Sequence, residues 1–181
     1  MDRTLAQAIA EKYFGIQANA QELPSERDQN FLLAGREGEK FVLKIANARE
    51  KREAIEAQNA MLNHLADRVA FCPRVVPATS GEQIATIENR LVRVLTYLPG
   101  KPLATVRFQS PQLRRDLGRK LGQLNRALVE FDHQGLHRDL YWDLARGSQI
   151  LCEFGPRIKT DWLRELVLNY KADCWWTGLR K

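Results

Sequence analysis

The side chain best suited to chemistry in this sequence is a lysine inside an apolar run. Lys44 belongs to the run Lys-Phe-Val-Leu-Lys-Ile at residues 40–45, whose aromatic and β-branched members predict a strand. A lysine within a buried strand needs an anionic or hydrogen-bonding partner, because an unpaired buried charge is costly. A phosphate group is one such anion. The alternative is an edge strand, whose lysine reaches water or blunts the edge.

The charge balance favours an anionic ligand without indicating a nucleic-acid partner. The 181 residues include 28 Lys and Arg against 22 Asp and Glu, which gives a formal charge of +6. The positive residues are scattered and form no long basic block, so we expect no nucleic-acid partner. A chain of this length forms one domain or two small lobes with a substantial core.

The cysteines indicate a reducing compartment, and the apolar runs indicate no membrane-spanning segment. The three cysteines, Cys72, Cys152 and Cys174, are far apart and lack C-x-x-C spacing, so neither a disulfide framework nor a zinc site is indicated. No apolar run approaches the roughly 18–20 residues that a membrane-spanning helix needs. Glu11 and Lys12 interrupt the region where a signal peptide would have an apolar core. We therefore expect a cytoplasmic protein with no membrane partner.

The first half of the chain predicts an antiparallel sheet with two helices. A Thr-x-x-Gln capping box at Thr4 predicts the start of a first helix, which Gly15 ends. Residues 51–66 predict a second helix, whose apolar spacing turns Gln58 inward. Five runs between turn residues predict strands, and their order predicts an antiparallel sheet of about five strands. These runs end near Leu23 or cover residues 30–34, 39–45, 83–87 and 91–98.

The second half of the chain predicts helices. Ser110 and Pro111 are residue types that favour the N-cap and the first helical position, and an apolar stripe follows at helical spacing. Two shorter helices are predicted over residues 141–146 and 161–170. The stripe of the long helix comprises Leu113, Leu117, Leu121, Leu124, Leu128 and Phe131.

Five groups of residues form a combination of motifs that is far more specific than any one of them. They are Asp-Gln-Asn-Phe at 28–31, Phe-Val-Leu-Lys-Ile-Ala-Asn at 41–47, Gln-Asn-Ala at 58–60, Arg-Val-Leu-Thr-Tyr-Leu-Pro-Gly at 93–100, and Phe-Asp-His at 131–133 with Trp-Asp-Leu at 142–144. The combination resembles the aminoglycoside phosphotransferase family. Within that family it is most similar to hydroxylysine kinases and to the kinase-like domain fused to some class III aminotransferases. The resemblance extends from about Leu23 to Lys171.

The resemblance implies an α+β, protein-kinase-like fold. It places a five-stranded antiparallel small lobe with an N-terminal helix at residues 1–100. A partial helical large lobe would follow at residues 101–181, with a divergent tail from about residue 172. The family's catalytic loop and metal-binding aspartate arrive later in the chain than the helices present here, so we expect a truncated large lobe.

The resemblance also implies a nucleotide site built around Lys44. This lysine would hold the α- and β-phosphates, as the strand lysine does across kinase-like folds. Gln58 takes the place of the helix glutamate that pairs with this lysine in many kinases, and its neutral amide can orient an ammonium without adding a counter-charge. The alternative for Gln58 is an amide at the edge of the core, bonded to backbone.

Two further segments complete the implied nucleotide site. Residues 25–30 occupy the position of the nucleotide-covering loop but lack its glycines, so Ser25 and Asn30 would contact the phosphates through side chains and backbone amides. An ordinary hairpin turn is the alternative. Tyr97 and Leu98 lie at the hinge, where backbone groups would bind the adenine edge. The alternative there is a plain strand end.

A second pair of motifs resembles the catalytic loop of protein kinases but departs from it. His-Arg-Asp-Leu at 137–140 and Ile-Leu-Cys-Glu-Phe-Gly at 150–155 are similar to H-R-D-L and D-F-G. Leu144 stands where the metal-binding asparagine belongs, Glu153 replaces the aspartate, and the interval is too short for the usual strand pair. Asp139 is therefore disfavoured as a catalytic residue and is interpreted as a surface or helix-capping acid. No catalytic residue and no metal ligand are identified.

The sequence leaves three functional hypotheses. The first is the nucleotide-binding portion of a phosphotransferase that uses ATP or GTP with Mg²⁺ and acts on the hydroxyl of a small amino compound, such as hydroxylysine or an aminoglycoside. This portion alone is expected to be inactive. The second is a non-catalytic, kinase-like binding module. The third is a basic nucleic-acid-binding domain, whose affinity would fall steeply with salt.

The tail at residues 174–181 matches nothing in the family and contains Trp175 and Trp176. It indicates either a frameshift or premature stop, or an authentic C-terminal anchor over an apolar face. Without the rest of a large lobe, the apolar stripe of the long helix would need a partner, such as a second copy of the chain.

Overall fold

The computed structural model describes residues 2–138 and 143–172. The chain divides into two compact units, Met1–His137 and Arg138–Lys181. The elements of the first unit are α1 (Arg3–Phe14), β1 (Ala18–Leu23), β2 (Gln29–Gly35), β3 (Lys40–Ile45), α2 (Arg52–Leu65), β4 (Val75–Val76), β5 (Ala85–Ile87), β6 (Arg90–Thr96) and α3 (Pro111–Leu128), with short 3-10 turns at Leu103–Thr105 and Gln134–Leu136.

The strands of the first unit form one antiparallel sheet. Its order is β1-β2-β3-β6-β4, and β5 pairs with β6 as well. The predicted α+β class with an antiparallel sheet is confirmed, and all five predicted strands are present. The sixth strand, β4, was not predicted because two residues carry no periodic signal. Glu88 and Asn89 form the turn between β5 and β6 at φ values of 48° and 60°, which is typical of a tight hairpin.

One face of the sheet packs against α1 to form the main core. The helix begins earlier than the capping box predicts, because the carboxylate of Asp2, not Thr4, accepts the N–H of Leu5 at 2.8 Å. Gly15 ends the helix at φ 66°, as expected for a left-handed C-cap. The core combines Ala6, Ile9, Ala10 and Phe14 of α1 with Phe31, Leu33, Leu43, Ile45, Val92 and Val94 of β2, β3 and β6.

Helix α2 lies within one residue of its predicted bounds and shows the predicted orientation. Ala54, Ile55, Ala57, Asn59 and Leu65 are buried, Gln58 is half-buried and Glu56 is exposed. The spacing of the buried positions brings Gln58 and Asn59 together on the inner side of the helix. This placement matters for the site, because both amides contact a strand residue of the sheet.

Helix α3 begins as predicted, with the Ser110 hydroxyl accepting the N–H of Leu113 at 3.1 Å and Pro111 in the first turn. No residue of α3 is buried within the part of the chain that the structure describes, and Leu117 and Leu121 are 43% and 51% exposed. The expectation that this apolar stripe needs a partner therefore stays a prediction.

The second unit is helical. It contains α4 (Gly147–Phe154) and α5 (Asp161–Ala172), with 3-10 turns at Leu144–Arg146 and Gly155–Arg157. The helix predicted over 141–146 is wrong for 144–146, which form a 3-10 turn capped by Asp143, and its first residues lie outside the described ones. The helix predicted over 161–170 is confirmed. Cys174, Trp175 and Trp176 also lie outside the described residues.

Two further observations concern the cysteine thiols and membrane-spanning helices. Cys72 and Cys152 are free thiols, half-buried and exposed respectively. Among residues 2–138 and 143–172, no helix is long and apolar enough to cross a membrane.

Candidate nucleotide site

Three polar side chains form a row across the middle of the sheet. Asn30 on β2 lies directly opposite Lys44 on β3, and Lys44 lies directly opposite Arg93 on β6. Residues paired in this way point to the same face of a sheet, and their neighbours along each strand point to the other. The core residues Phe31, Leu43 and Val94 form the next row. The polar row therefore occupies the face opposite α1.

Lys44, Asn30 and Ser25 form a chain of hydrogen bonds at one end of this row. The Lys44 ammonium donates to Asn30 Oδ1 at 2.9 Å. Asn30 Nδ2 donates to the Ser25 hydroxyl at 3.1 Å. Residues 24–28 connect β1 to β2, so this segment is both the hairpin turn and the implied loop over the lysine. Three of the six predicted site residues are thus in contact, and Ser25 itself is exposed.

Arg93 lies at the other end of the row and was not predicted from the sequence as a site residue. The residue is 5% exposed, and its guanidinium donates to Asn59 Oδ1 at 2.6 Å and to Gln58 Oε1. Gln58 therefore holds Arg93 rather than orienting Lys44. The signal that identifies Lys44, a charged residue inside an apolar strand, applies equally to Arg93 between Val92 and Val94.

The two cations share an environment that disfavours positive charge. Burial and the neighbouring Arg93 guanidinium lower the pKa of Lys44, and Asp28 offsets this in part. Burial lowers the pKa of Arg93, with Asp28 and Glu50 opposing. Asp28 also accepts hydrogen bonds from the backbone and side-chain N–H groups of Asn47, at 3.1 and 3.2 Å. An added anion would stabilise both cations at this point of the sheet.

An apolar row, in which Leu32 and Val42 are half-buried and Leu95 is buried, separates the polar row from the predicted hinge. Leu32, Val42 and Leu95 form the second row along the same face, because Leu32 pairs with Val42 and Val42 pairs with Leu95. Tyr97 follows β6 on that face, and its backbone N–H donates to the Lys40 carbonyl at 3.2 Å. Tyr97 lies four positions after Arg93, a distance of about 13 Å along an extended strand. Tyr97 and Leu98 are thus remote from Lys44. A nucleotide requires such a separation between the residues that bind its base and those that bind its phosphates.

The motifs that resemble a kinase catalytic loop show no metal-binding cluster within the described residues. Among residues 2–138 and 143–172, no group of three or more His, Cys, Asp or Glu side chains is placed to hold a metal ion. Asp139 lies outside the described residues, so its disfavoured role stays a prediction. Glu153 is exposed and belongs to α4, where a D-F-G motif would be irregular.

A second group of positive residues borders a groove of about 720 Å³ between α3 and the segment that follows α2. Arg68, Arg119, Lys120 and Arg126 line it, and Lys120 lies 4.7 Å from the centre of the Phe71 ring. All four are exposed, so solvent screens their charges. The groove therefore serves as a control region, where anions would bind nonspecifically.

Comparison with known proteins gives a family match and related folds. The model described as "Phosphotransferase enzyme family" matches residues 19–175. Hydroxylysine kinase of Mus musculus is 36% identical over 163 residues, which cover 77% of this chain and 43% of that protein. Hydroxylysine kinase of Danio rerio is 33% identical over 137 residues, which cover 69% of this chain and 38% of that protein.

The solved structure of an amicoumacin kinase, in complex with AMP-PNP, Ca²⁺ and Ami, is similar with a TM-score of 0.72 at 18% identity. The match covers 96% of this chain and 52% of that one. At this identity the likeness shows the fold alone, and it confirms the predicted kinase-like fold class. The chain spans about half the length, or less, of the proteins it matches.

Proposed function

The chain belongs to the phosphotransferase enzyme family, and on that premise we propose that its first unit binds a nucleoside triphosphate, ATP or GTP, as a phosphate donor. The observation that carries this proposal is the polar row, in which the Lys44 ammonium lies beside Asn30 on the face of the sheet opposite α1. Phosphoryl transfer depends on positive charge held against the phosphates before the reaction begins. Lys44 is placed to supply that charge.

The rest of this face of the sheet suits the remaining parts of a nucleotide. The surface of Leu32, Val42 and Leu95 offers an apolar floor for a base, and the backbone at Tyr97 and Leu98 lies at its far end. Ser25 would lie over the phosphates from the connection between β1 and β2. We infer that the base lies toward Leu98 and the phosphates toward Lys44.

The acceptor proposed for the complete enzyme is the hydroxyl of a small amino compound. The hydroxylysine kinase relatives support hydroxylysine, and the amicoumacin kinase and aminoglycoside resemblance support antibiotics of related chemistry. Mg²⁺ is the metal expected with the nucleotide. No cluster of described side chains fits a divalent cation, so no step is assigned to a metal here.

A non-catalytic binding module is the second candidate. It is favoured by the helical conformation of α4, which occupies the stretch that resembles D-F-G, and by the lack of a metal-binding cluster among the described residues. Such a module would bind a nucleotide or a protein partner without turnover, so phosphate transfer separates the two candidates. We therefore propose that the 181-residue chain binds nucleotide but does not transfer phosphate.

Calorimetric titration of the chain with ATP and with GTP tests the nucleotide site. The Lys44→Ala variant is expected to remain folded and to lose at least about tenfold in affinity, because a charge-assisted contact to phosphate is worth about 1.5–3 kcal/mol. Lys51→Ala is the matched control, since Lys51 is exposed and makes no side-chain cap at α2. Equal affinities of the wild type and Lys44→Ala would refute the assignment of Lys44.

Phosphate transfer is tested separately with γ-labelled ATP, Mg²⁺ and hydroxylysine. We expect the chain to bind nucleotide and to form no labelled phosphohydroxylysine. Formation of that product by the 181-residue chain would overturn the proposed inactivity while leaving the nucleotide site in place.

A further inference from the structure

Arg93 is the buried cation nearest in the sheet to Lys44, and the resemblance assigns it no role. Only 5% of it is exposed, so it cannot offer its guanidinium broadly to a ligand. It lies directly opposite Lys44 on the adjacent strand, with both side chains on the same face. Two cations at such positions repel each other, which lowers the stability of the fold. Such destabilising arrangements are typical of functional sites.

The partners of Arg93 hold its charge in place without neutralising it. The guanidinium donates to the amide oxygens of Gln58 and Asn59, and the Asn59 amide donates in turn to the Gln83 carbonyl at 3.4 Å. Two side chains of α2 and the backbone before β5 therefore fix the position of the cation. An amide accepts a hydrogen bond without contributing negative charge.

The orientation of Lys44 is consistent with repulsion from Arg93. Its hydrogen bond goes to Asn30 on β2, the strand on the side away from β6. The charged groups that act on the pair are Asp28, which faces both cations, and Glu50, which faces Arg93, whereas α2 contributes neutral amides. These carboxylates offset the burial of the cations only in part, because the pKa values of both remain lowered.

We propose that Arg93 is a positioning residue, whose buried guanidinium, anchored on Gln58 and Asn59, holds the Lys44 ammonium toward Asn30 and makes the site select for polyphosphate. Gln58 accepts from Arg93, so a carboxylate at position 58 would pair with Arg93 and neutralise its charge. With Gln58 at this position, both cations keep their charge. Each added phosphate charge is therefore attracted by two cations, and gains more binding energy than it would beside one lysine. The selectivity for polyphosphate rests on the proposed nucleotide function, whereas the coupling of Arg93 to Lys44 does not.

The experiment compares four proteins: wild type, Arg93→Gln, Arg93→Lys and the control Arg126→Met. Arg93→Gln removes the charge and can still bond to the amides of α2, and Arg93→Lys keeps the charge. Arg126 lies in the exposed basic groove, so Arg126→Met removes a positive charge elsewhere. Thermal unfolding followed by circular dichroism establishes that each variant is folded.

The first readout is the titration of the Lys44 ammonium in the nucleotide-free protein, by NMR of labelled lysine side chains. Loss of the neighbouring charge in Arg93→Gln is expected to raise the Lys44 pKa, whereas Arg93→Lys and Arg126→Met leave it near the wild-type value. A merely structural role for Arg93 would not separate the Gln variant from the Lys variant. An unchanged Lys44 pKa in folded Arg93→Gln would overturn the inference, whatever the nucleotide does.

The second readout is the ratio of ATP affinity to AMP affinity. Arg93→Gln is expected to lower this ratio about tenfold with adenosine affinity unchanged, and Arg93→Lys to restore most of it. Parallel loss of ATP, AMP and adenosine binding would show a structural role and would overturn the inference. If wild type binds no nucleotide but the Lys44 pKa rises in Arg93→Gln, the proposed function fails while the coupling of Arg93 to Lys44 stands.

Discussion

Lys44→Met is expected to make the protein more stable at neutral pH, because the native fold disfavours the lysine charge. Methionine keeps an unbranched apolar stem and removes the ammonium. Directly opposite cross-strand residues have Cβ atoms about 5 Å apart. Two like charges about 6 Å apart at an effective dielectric constant of about 20 repel by about 3 kcal/mol.

Two effects reduce that figure. Lys44 is half-buried, so solvent screens part of the repulsion, and its hydrogen bond to Asn30 contributes about 1 kcal/mol that the variant loses. A net gain of about 1 kcal/mol in the free energy of unfolding remains, which lies within the range of about 0.5–2 kcal/mol for a single stabilising substitution. Lys51→Met, at an exposed position, is expected to change stability by less than about 0.5 kcal/mol.

The pH dependence of the stability difference between Lys44→Met and wild type has a sign that can be worked out separately. The pKa of Lys44 in the fold lies below the unfolded value of 10.5. Between these two pKa values the unfolded chain binds more protons, so the wild type gains stability as pH rises through that window. The advantage of Lys44→Met is therefore largest below the folded pKa and shrinks as pH approaches 10.5.

Urea denaturation followed by circular dichroism, at pH 7 and at about pH 9.5, measures this difference. Taking the difference between variants removes the contribution of the other titrating groups. A Lys44→Met variant that is less stable than wild type at pH 7, or a stability difference that grows with pH, would contradict a native fold that disfavours the Lys44 charge.

Three further predictions concern the first unit. Leu43→Ala removes a fully buried side chain from the core and should cost about 2–5 kcal/mol in urea denaturation, whereas Leu98→Ala, at a position 45% exposed, should cost less than about 1. Asp2→Ala removes the side-chain cap of α1 and should lower the free energy of unfolding by about 1 kcal/mol, and an unchanged value would show that the cap contributes nothing. Gly135→Ala places a Cβ 2.2 Å from the Glu53 carbonyl oxygen in α2, so the melting temperature should fall by several degrees, and unchanged melting would contradict this contact.

The sequence predicts the main elements because their periodicity is long and regular. The long helices α2 and α3 and the strands β2, β3 and β6 follow from apolar spacing and turn residues. The capping box at Thr4 was wrong because Asp2 takes the same role two residues earlier. The eight-residue helix α4 begins with Gly147 and Ser148, which carry no helix signal, and its formation depends on packing within the second unit.

The candidate site is predicted only in part, because strand register cannot be derived from the motifs. Lys44, Asn30 and Ser25 are separated by up to 19 positions, and only the pairing of β2 with β3 brings them together. The partner of Gln58 depends on the pairing of β3 with β6, which places Arg93 beside Lys44. A charged residue within an apolar strand is visible in the sequence, but its neighbour across the sheet is not.

An NMR titration of the labelled chain with a non-hydrolysable ATP analogue shows most directly where the nucleotide binds. We expect the largest amide shifts at Asn30, Lys44, Tyr97 and Leu98, along the face of the sheet opposite α1. Shifts confined to the exposed basic groove around Arg126, or no shifts at all, would contradict the central claim that the polar row of the sheet is a nucleotide site.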